Sequence, residues 1–351
     1  MRVRVNLFRG SLSPRVASVV ALFLAGISLL ALSSPASAQR YVTFDPPGSV
    51  YTFATGINNS GQITGAYRDS TSGHSFLRNV DGSFVEFDPP TAVGSTATSI
   101  NSGGAIAGYW YDSSDAFHGY YRDVAGNITV FAVQTSFEDR TFAYSINDGG
   151  SIIGSYEDTT YHGFLRDPSG TITTFDPPGS THTIPRTINQ SGFISGAYYD
   201  SAGLLHGFVL SPSGNYTIID VPGASGQGTV AAIVNDRGMI TGDYYDGIFL
   251  RGYLRSAKGQ YTTVEAPSGE FTEVASMNNL GRLSGSAQKL SGLYSGFVRD
   301  NSGNITVFQV PGAGLAQEEE QGTVSVAINL SGTVTGYYYD TNKVPHGFIR
   351  Y

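Results

Sequence analysis

The chain has 351 residues, of which 40% are hydrophobic, 12% aromatic and only 14% charged, with 45 Gly, 15 Pro and a net charge of −8. So few charges beside so many rings exclude general disorder. Gly at this density excludes a largely helical protein, because each Gly in a helix interior costs about 1 kcal/mol relative to Ala. An all-β protein rich in turns remains.

Arg2, Arg4, Arg9 and Arg15 give the chain a basic start without acids, followed by an apolar run from Val16 to Leu32 and the small-residue element Ala36-Ser37-Ala38. This is the layout of a secretory signal. Residues 1–38 are therefore expected to be removed, leaving residues 39–351 as one mature domain, exported to the periplasm or out of the cell. Cleavage takes four of the 20 basic residues and none of the 28 acids, so the mature charge is −12. Such a surface repels nucleic acid and anionic lipid. There is no Cys, hence no disulfide and no thiolate metal site. No later apolar stretch is long enough to span a bilayer as a helix.

The mature chain opens on Tyr41-Val42-Thr43-Phe44-Asp45-Pro46-Pro47-Gly48, and from there one pattern recurs: I-N-x-x-G-x-I-x-G-x-Y-x-D, then H-G-F-L-R-D, then G-x-I-T-T-F-D-P-P-G. Its Asn falls at positions 58, 101, 147, 189, 235, 278 and 329, each with a Gly three residues on, at intervals of 42 to 51 residues. Each Asn-x-x-Gly predicts a tight hairpin, the Asn bonding back to its own turn and the Gly supplying a positive φ. A second turn of this kind follows H-G-F, from Asn79 to Gly82 and at the matching places later. Between the turns lie runs of β-branched and aromatic residues. Each repeat thus carries four strands: a, ending at the Asn; b, G-x-I-x-G-x-Y; c, H-G-F-L-R; and d, I-T-T-F-D. The chain ends on His346-Gly347-Phe348-Ile349-Arg350-Tyr351, a strand c lacking its d, while residues 41–44 are a strand d lacking its a, b and c.

Repeats of this length with four antiparallel strands predict a seven-bladed β-propeller of four-stranded blades, closed by the N-terminal strand completing the last blade. That closure leaves no free sheet edge at the join. An outer-membrane barrel needs longer strands with a lipid-facing apolar band, and these are too short and too polar.

His-Gly-Phe with Asp-Pro-Pro-Gly and Ile-Asn-x-x-Gly resembles the HAF repeat of bacterial extracellular proteins. The resemblance covers residues 41–351, through His118-Gly119-Tyr120, His162-Gly163-Phe164, His206-Gly207-Phe208, His346-Gly347-Phe348 and His74-Ser75-Phe76; Arg251-Gly252-Tyr253 and Ser295-Gly296-Phe297 depart at the His. It implies export and repetition and carries no catalytic residue.

In a propeller closed this way the b–c and d–a connections share one face. An Asp ending strand b and a His starting strand c flank the same loop in five repeats: Asp69 and His74, Asp112 and His118, Asp158 and His162, Asp200 and His206, Asp340 and His346. Carboxylate with imidazole suits a metal or acid–base work. The same pair five times over points instead to a structural brace, each Asp accepting bonds from its loop. Two residues before the loop Asp stands an aromatic: Tyr67, Trp110, Tyr156, Tyr198, Tyr244 and Tyr338, with further Tyr at 109, 111, 199, 245, 337 and 339. Rings with a polar handle beside carboxylates suit a sugar-binding surface, or they fill the space between twisted blades. The longest d–a connection bears Glu318, Glu319 and Glu320, a candidate divalent-cation site. No other cofactor is evident. On the inner strands His182, Arg186, Tyr144 and Glu273 replace the small residues usual there, and Arg186 with His182 could grip an acidic ligand at the channel mouth.

No phosphate loop, G-x-S-x-G, H-E-x-x-H or D-x-D-x-D-G motif is present. The reading is a secreted, monomeric, non-enzymatic protein that binds a polysaccharide or cell-envelope glycan through its loop-rich face. The alternatives are a polysaccharide lyase or hydrolase with its site at the channel mouth, and a structural or protein-binding module.

Overall fold

A computed structural model describes residues 39–133, 140–225, 228–267, 269–316 and 321–351, so residues 1–38 and Glu318, Glu319 and Glu320 lie outside the described residues. Among the described residues the structure is all β, with 28 strands and no helix, and so no helix long and apolar enough to cross a membrane.

The turns form as their residues dictate. Gly192 N–H donates to the Asn189 carbonyl at 3.1 Å and Asn189 N–H to the Phe193 carbonyl at 2.9 Å, a closure that requires the φ of +81° found at Gly192. The same two bonds close all seven Asn-x-x-Gly turns. The strands between pair antiparallel in consecutive quartets: β2–β5 (Tyr51–Ile57, Ile63–Arg68, Gly73–Arg78, Phe84–Phe87), β6–β9 (from Gly94 to Phe131), β10–β13 (from Arg140 to Phe175), β14–β17 (from Ser180 to Ile219), β18–β21 (from Thr229 to Val264) and β22–β25 (from Phe271 to Phe308). The last strands, β26 (Gly322–Ile328), β27 (Val334–Tyr339) and β28 (Pro345–Arg350), take β1 (Tyr41–Phe44) as their fourth member, with Tyr41 opposite Arg350 and Phe44 opposite Gly347.

Packing explains the motif letters. The aromatic of H-G-F, from Phe76 to Phe348, is fully buried in every quartet. It lies against the second Gly of strand b: a Cβ on Gly65 would come within 2.1 Å of the Phe53 carbonyl and 2.8 Å of the Phe76 ring. In four quartets the Arg ending strand c lays its guanidinium on the strand-d ring of the preceding quartet, among them Arg122 over Phe87 at 4.7 Å and Arg350 over Phe308 at 4.8 Å. The core therefore sits between quartets. Leu77 and Phe87 of the first pack with Ile106, Trp110 and Tyr120 of the second, and Phe44 and Ile349 of the last with Ala54, Ile63 and Phe76 of the first.

The sequence does not announce what joins the turns. Each Asn side chain is buried and faces two ways. Its Oδ1 accepts the amide four residues on, as Asn189 does from Phe193 at 2.9 Å. Its Nδ2 donates to the carbonyl of the next Asn in the series, Asn58 to Asn101, onward to Asn329, and Asn329 back to Asn58, at 2.9–3.3 Å.

Replacing Asn189 by Ala removes both bonds and strands a buried carbonyl, so it should cost about 1–3 kcal/mol. Asn189→Asp keeps the acceptor but turns a carboxylate toward the Asn235 carbonyl, and should cost at least as much. Urea unfolding of the two variants checks both values.

Candidate functional site

Strand b delivers its Asp to a short loop, and the loop amides converge on it. Asp69 Oδ1 accepts from Thr71 N–H at 2.6 Å and Ser72 N–H at 2.8 Å, and these bonds hold the carboxylate well below its ordinary range. Asp112, Asp158 and Asp200 are lowered in the same way by bonds from Ser114, Thr160 and Leu204.

The His of strand c reaches this Asp with Nε2, at 3.2 Å in His118–Asp112 and 3.3 Å in His162–Asp158. Its Nδ1 goes elsewhere. In four of the five it meets the Asp that ends strand d, fourteen residues later for the first three: Asp88 for His74 at 2.7 Å, Asp176 for His162 at 2.7 Å, Asp220 for His206 at 3.0 Å, and, across the ends of the chain, Asp45 for His346 at 2.8 Å. His118 has Ala132 at that place. The strand-d Asp in turn accepts from a buried hydroxyl of the next quartet, Ser95 Oγ on Asp88 at 2.6 Å and Thr183 Oγ1 on Asp176. Burial opposes the charged ring, yet the bond to Asp176 and the charges of Asp176 and Asp158 overcome it and raise the His162 pKa; Asp88, Glu86 and Asp69 do the same for His74.

The sequence reading paired each His with one Asp and missed the second. A signal is present in two repeats, where the two positions change together, although the His118 repeat keeps its His with Ala132 at the strand-d place. Where Arg251 replaces His, Glu265 replaces the strand-d Asp, and the Arg bridges Asp246 at 2.8 Å and Glu265 at 2.7 Å. Where Ser295 replaces it, Gln309 follows and donates to the Ser at 3.0 Å.

The six aromatics proposed as ligand contacts cover these braces. The His ring stacks 5.2 Å from Tyr67, 4.7 Å from Trp110, 5.2 Å from Tyr156, 5.1 Å from Tyr198 and 5.3 Å from Tyr338. Tyr244 stands opposite Arg251 and bonds Thr263. Tyr67, Trp110, Tyr198 and Tyr338 are buried, so little of their faces is open to a ligand.

Open rings lie on the axis instead. Strand a carries a β-bulge in every quartet, and the residue it skips is Thr55, Thr98, Tyr144, Arg186, Ala232, Ala275 or Val326. A bulge re-aims its side chain, and here all seven line axial cavities. One cavity, of about 500 Å³, opens among the Asn turns. The other, of about 750 Å³, lies toward the b–c loops and is walled by Tyr199, Tyr245, Tyr337, Asp243 and Glu273, with Arg186 common to both. Arg186, Asp243 and Glu273 each take a place that the other six quartets fill with uncharged residues. Asp243 is buried and accepts Val274 N–H at 2.8 Å. Burial and the charge of Glu273 push its carboxyl well above the carboxylate range against the pull of that amide and of Arg186. Tyr144 bonds Ser155 at 2.8 Å within the wall. His182 is exposed and reaches the cavity only through Tyr199, whose ring lies 6.0 Å away. Asp243 departs from the repeat on strand b as Arg186 and Glu273 do on strand a, and that departure is its one signal in the sequence.

Among the described residues, one side-chain group could hold a metal: the donor atoms of His74, Glu86 and Asp88 lie within 4.8 Å of one another.

Solved structures similar to this chain are propellers. Virginiamycin B lyase from Staphylococcus aureus is 13% identical, with a TM-score of 0.57 over 89% of this chain and 99% of its own. The β-propeller domain of the Trilobed protease from Pyrococcus furiosus, described as having an open velcro topology, is 8% identical with a TM-score of 0.60, over 86% of this chain and 94% of its own. No family model matches the chain, and no curated protein matches it. At these identities the likeness establishes the fold alone: an all-β propeller module.

The raised His162 pKa sets a sign. Its contribution to stability is complete below the ordinary His value of about 6.5 and is lost as pH rises through the raised one. The gap in melting temperature between the protein and its His162→Gln variant should therefore be widest near pH 6 and narrow by pH 9. Thermal unfolding across that range measures it.

Proposed function

We propose that the chain is an exported, seven-bladed β-propeller of HAF-type repeats, with β1 completing the last blade, that binds a glycan in the axial cavity on its b–c loop side. The β1–β28 register, the bond from Asn329 back to Asn58 and the cluster joining Phe44 to Phe76 support the closed ring. The observation that carries the binding reading is the asymmetry of the axis. Three consecutive quartets bring Arg186, Asp243 and Glu273 to one cavity beside three Tyr, while the other axial positions stay uncharged. A cavity of about 750 Å³ suits a small ligand or the end of a longer one. Tyr199, Tyr245 and Tyr337 offer faces to sugar rings, Arg186 a fork for a carboxylate or sulfate, and Glu273 an acceptor for hydroxyls. The acidic surface keeps nucleic acids away.

One observation favours a second reading, a polysaccharide lyase or hydrolase. Burial and the charge of Glu273 raise the Asp243 carboxyl, while Glu273 on the same wall is exposed to solvent. A buried carboxyl beside a solvent-exposed one is an arrangement that can supply an acid and a base.

A panel of neutral and acidic oligosaccharides, read by thermal shift and then by product analysis, separates the readings. An acidic sugar should raise the melting temperature and be recovered intact, and Arg186→Gln should weaken its binding about tenfold or more. Recovery of cleaved sugar, abolished by Asp243→Asn, would establish the enzyme. No shift from any sugar would discard both in favour of a protein partner. For the ring itself, Phe44→Ala should cost about 3–5 kcal/mol, the same as expected for Phe87→Ala inside the series. A cost near zero at Phe44 would mean that the terminal strand frays and the ring is open.

A further inference from the structure

The His–Asp brace recurs with a strand-d Asp in four quartets, but one of the four has an additional member. On β5 the residue two before the strand-d Asp is Glu86, where the matching residues elsewhere are Val130, Thr174, Ile218, Thr263, Val307 and Thr43. Glu86 Oε1 lies 4.0 Å from His74 Nδ1, and Asp88 Oδ2 lies 2.7 Å from the same nitrogen. We propose that His74, Glu86 and Asp88 form a binding site for one divalent transition metal ion of the zinc type, on the outer strands of the first quartet.

Three features carry this. The first is spacing. Ligands about 2.0–2.1 Å from a tetrahedral zinc stand roughly 3.3 Å from one another, and the three donor atoms, separated by 2.7 Å at the least and within 4.8 Å throughout, straddle that value. The second is support from outside the trio, because each ligand is already held by another residue. His74 Nε2 meets Ser72 Oγ at 2.9 Å and the Asp69 carboxylate at 3.6 Å, the carboxylate-backed arrangement in which the far nitrogen keeps its proton and the near one ligates once its own proton is lost. Asp88 Oδ1 accepts from Ser95 Oγ at 2.6 Å, which leaves Oδ2 toward the site. Glu86 Oε2 accepts from the Tyr67 hydroxyl, which leaves Oε1. The third is chemistry. One imidazole and two carboxylates carry two negative charges against a dication, and nitrogen among the donors favours zinc over calcium, which takes six to eight oxygens. On binding, the metal displaces the proton that His74 Nδ1 shares with Asp88, and that proton leaves to solvent.

Calorimetric titration of the tag-free chain at pH 7.5 with zinc chloride and, separately, calcium chloride tests the site. One zinc per chain should bind and calcium should not. Glu86→Gln should weaken zinc about tenfold or more. His162→Gln should leave the titration unchanged, because the His162–Asp176 pair has Thr174 where the first quartet has Glu86. The Glu86 side chain is more than half exposed, so its variant should melt as the parent does in metal-free buffer, which separates lost ligation from lost fold. No zinc uptake at millimolar metal, uptake unaffected by Glu86→Gln, or a stoichiometry that falls with His162→Gln would each overturn the proposal.

Discussion

A primary carboxamide on a one-carbon stem organises this molecule. Asn alone offers an acceptor that can close its own turn together with a donor that reaches the next backbone. Asp lacks the donor, Gln is one methylene too long for the turn, and Ser is too short for the neighbour. Seven such side chains run head to tail in one sense, each buried and fully occupied. A single net hydrogen bond contributes about 1 kcal/mol, but bonds in a closed series polarise one another in a low dielectric. The series also fixes where every strand a ends. From that common origin the bulge, the b–c loop and the end of strand d fall at matching register positions in each quartet.

Outward from this ring the joints repeat with changed chemistry. At the loop face a His is held between two Asp, with a hydroxyl of the next quartet behind the second. At the opposite end of strand c an Arg lies on a ring of the quartet before. Polar contacts thus straddle the same junctions as the apolar clusters, so a quartet has little core of its own and is stable only between neighbours. The exchange of His–Asp for Arg–Glu and for Ser–Gln shows that the joint needs a donor facing an acceptor and tolerates several ways of providing them.

What was legible in the sequence was whatever recurred. The Asn-x-x-Gly turns, the four strands and the unfinished repeats at both ends follow from the period, and Tyr41–Phe44 does pair with β28. What was hidden was contact across quartets and across the axis. The donor of Asn189 and its acceptor at Asn235 lie 46 residues apart, and nothing local marks them. His162 and Asp176 are adjacent only because strands c and d run antiparallel. The aromatic stripe misled in a specific way. Tyr198, which looked like a platform, is buried on His206, while its neighbour Tyr199, on the other face of the strand, lines the cavity. Alternation along a strand reveals that there are two faces without saying which one meets the axis.

The bulge in strand a has a consequence beyond this chain. It lifts one side chain per quartet out of the ladder and turns it to the axial cavities, where Thr55 and Thr98 still bond carbonyls of the next quartet and Tyr144 and Ala232 touch core clusters, while Arg186, Ala275 and Val326 only line the axis. Thr, Tyr, Arg, Ala and Val already share those places. Such a ring behaves as a combinatorial lock: exchanging the pins at Arg186, Ala275 and Val326 would rewrite what the axis accepts while the scaffold around them stays intact, and a recognition repertoire could be drawn from one fold by varying a few codons.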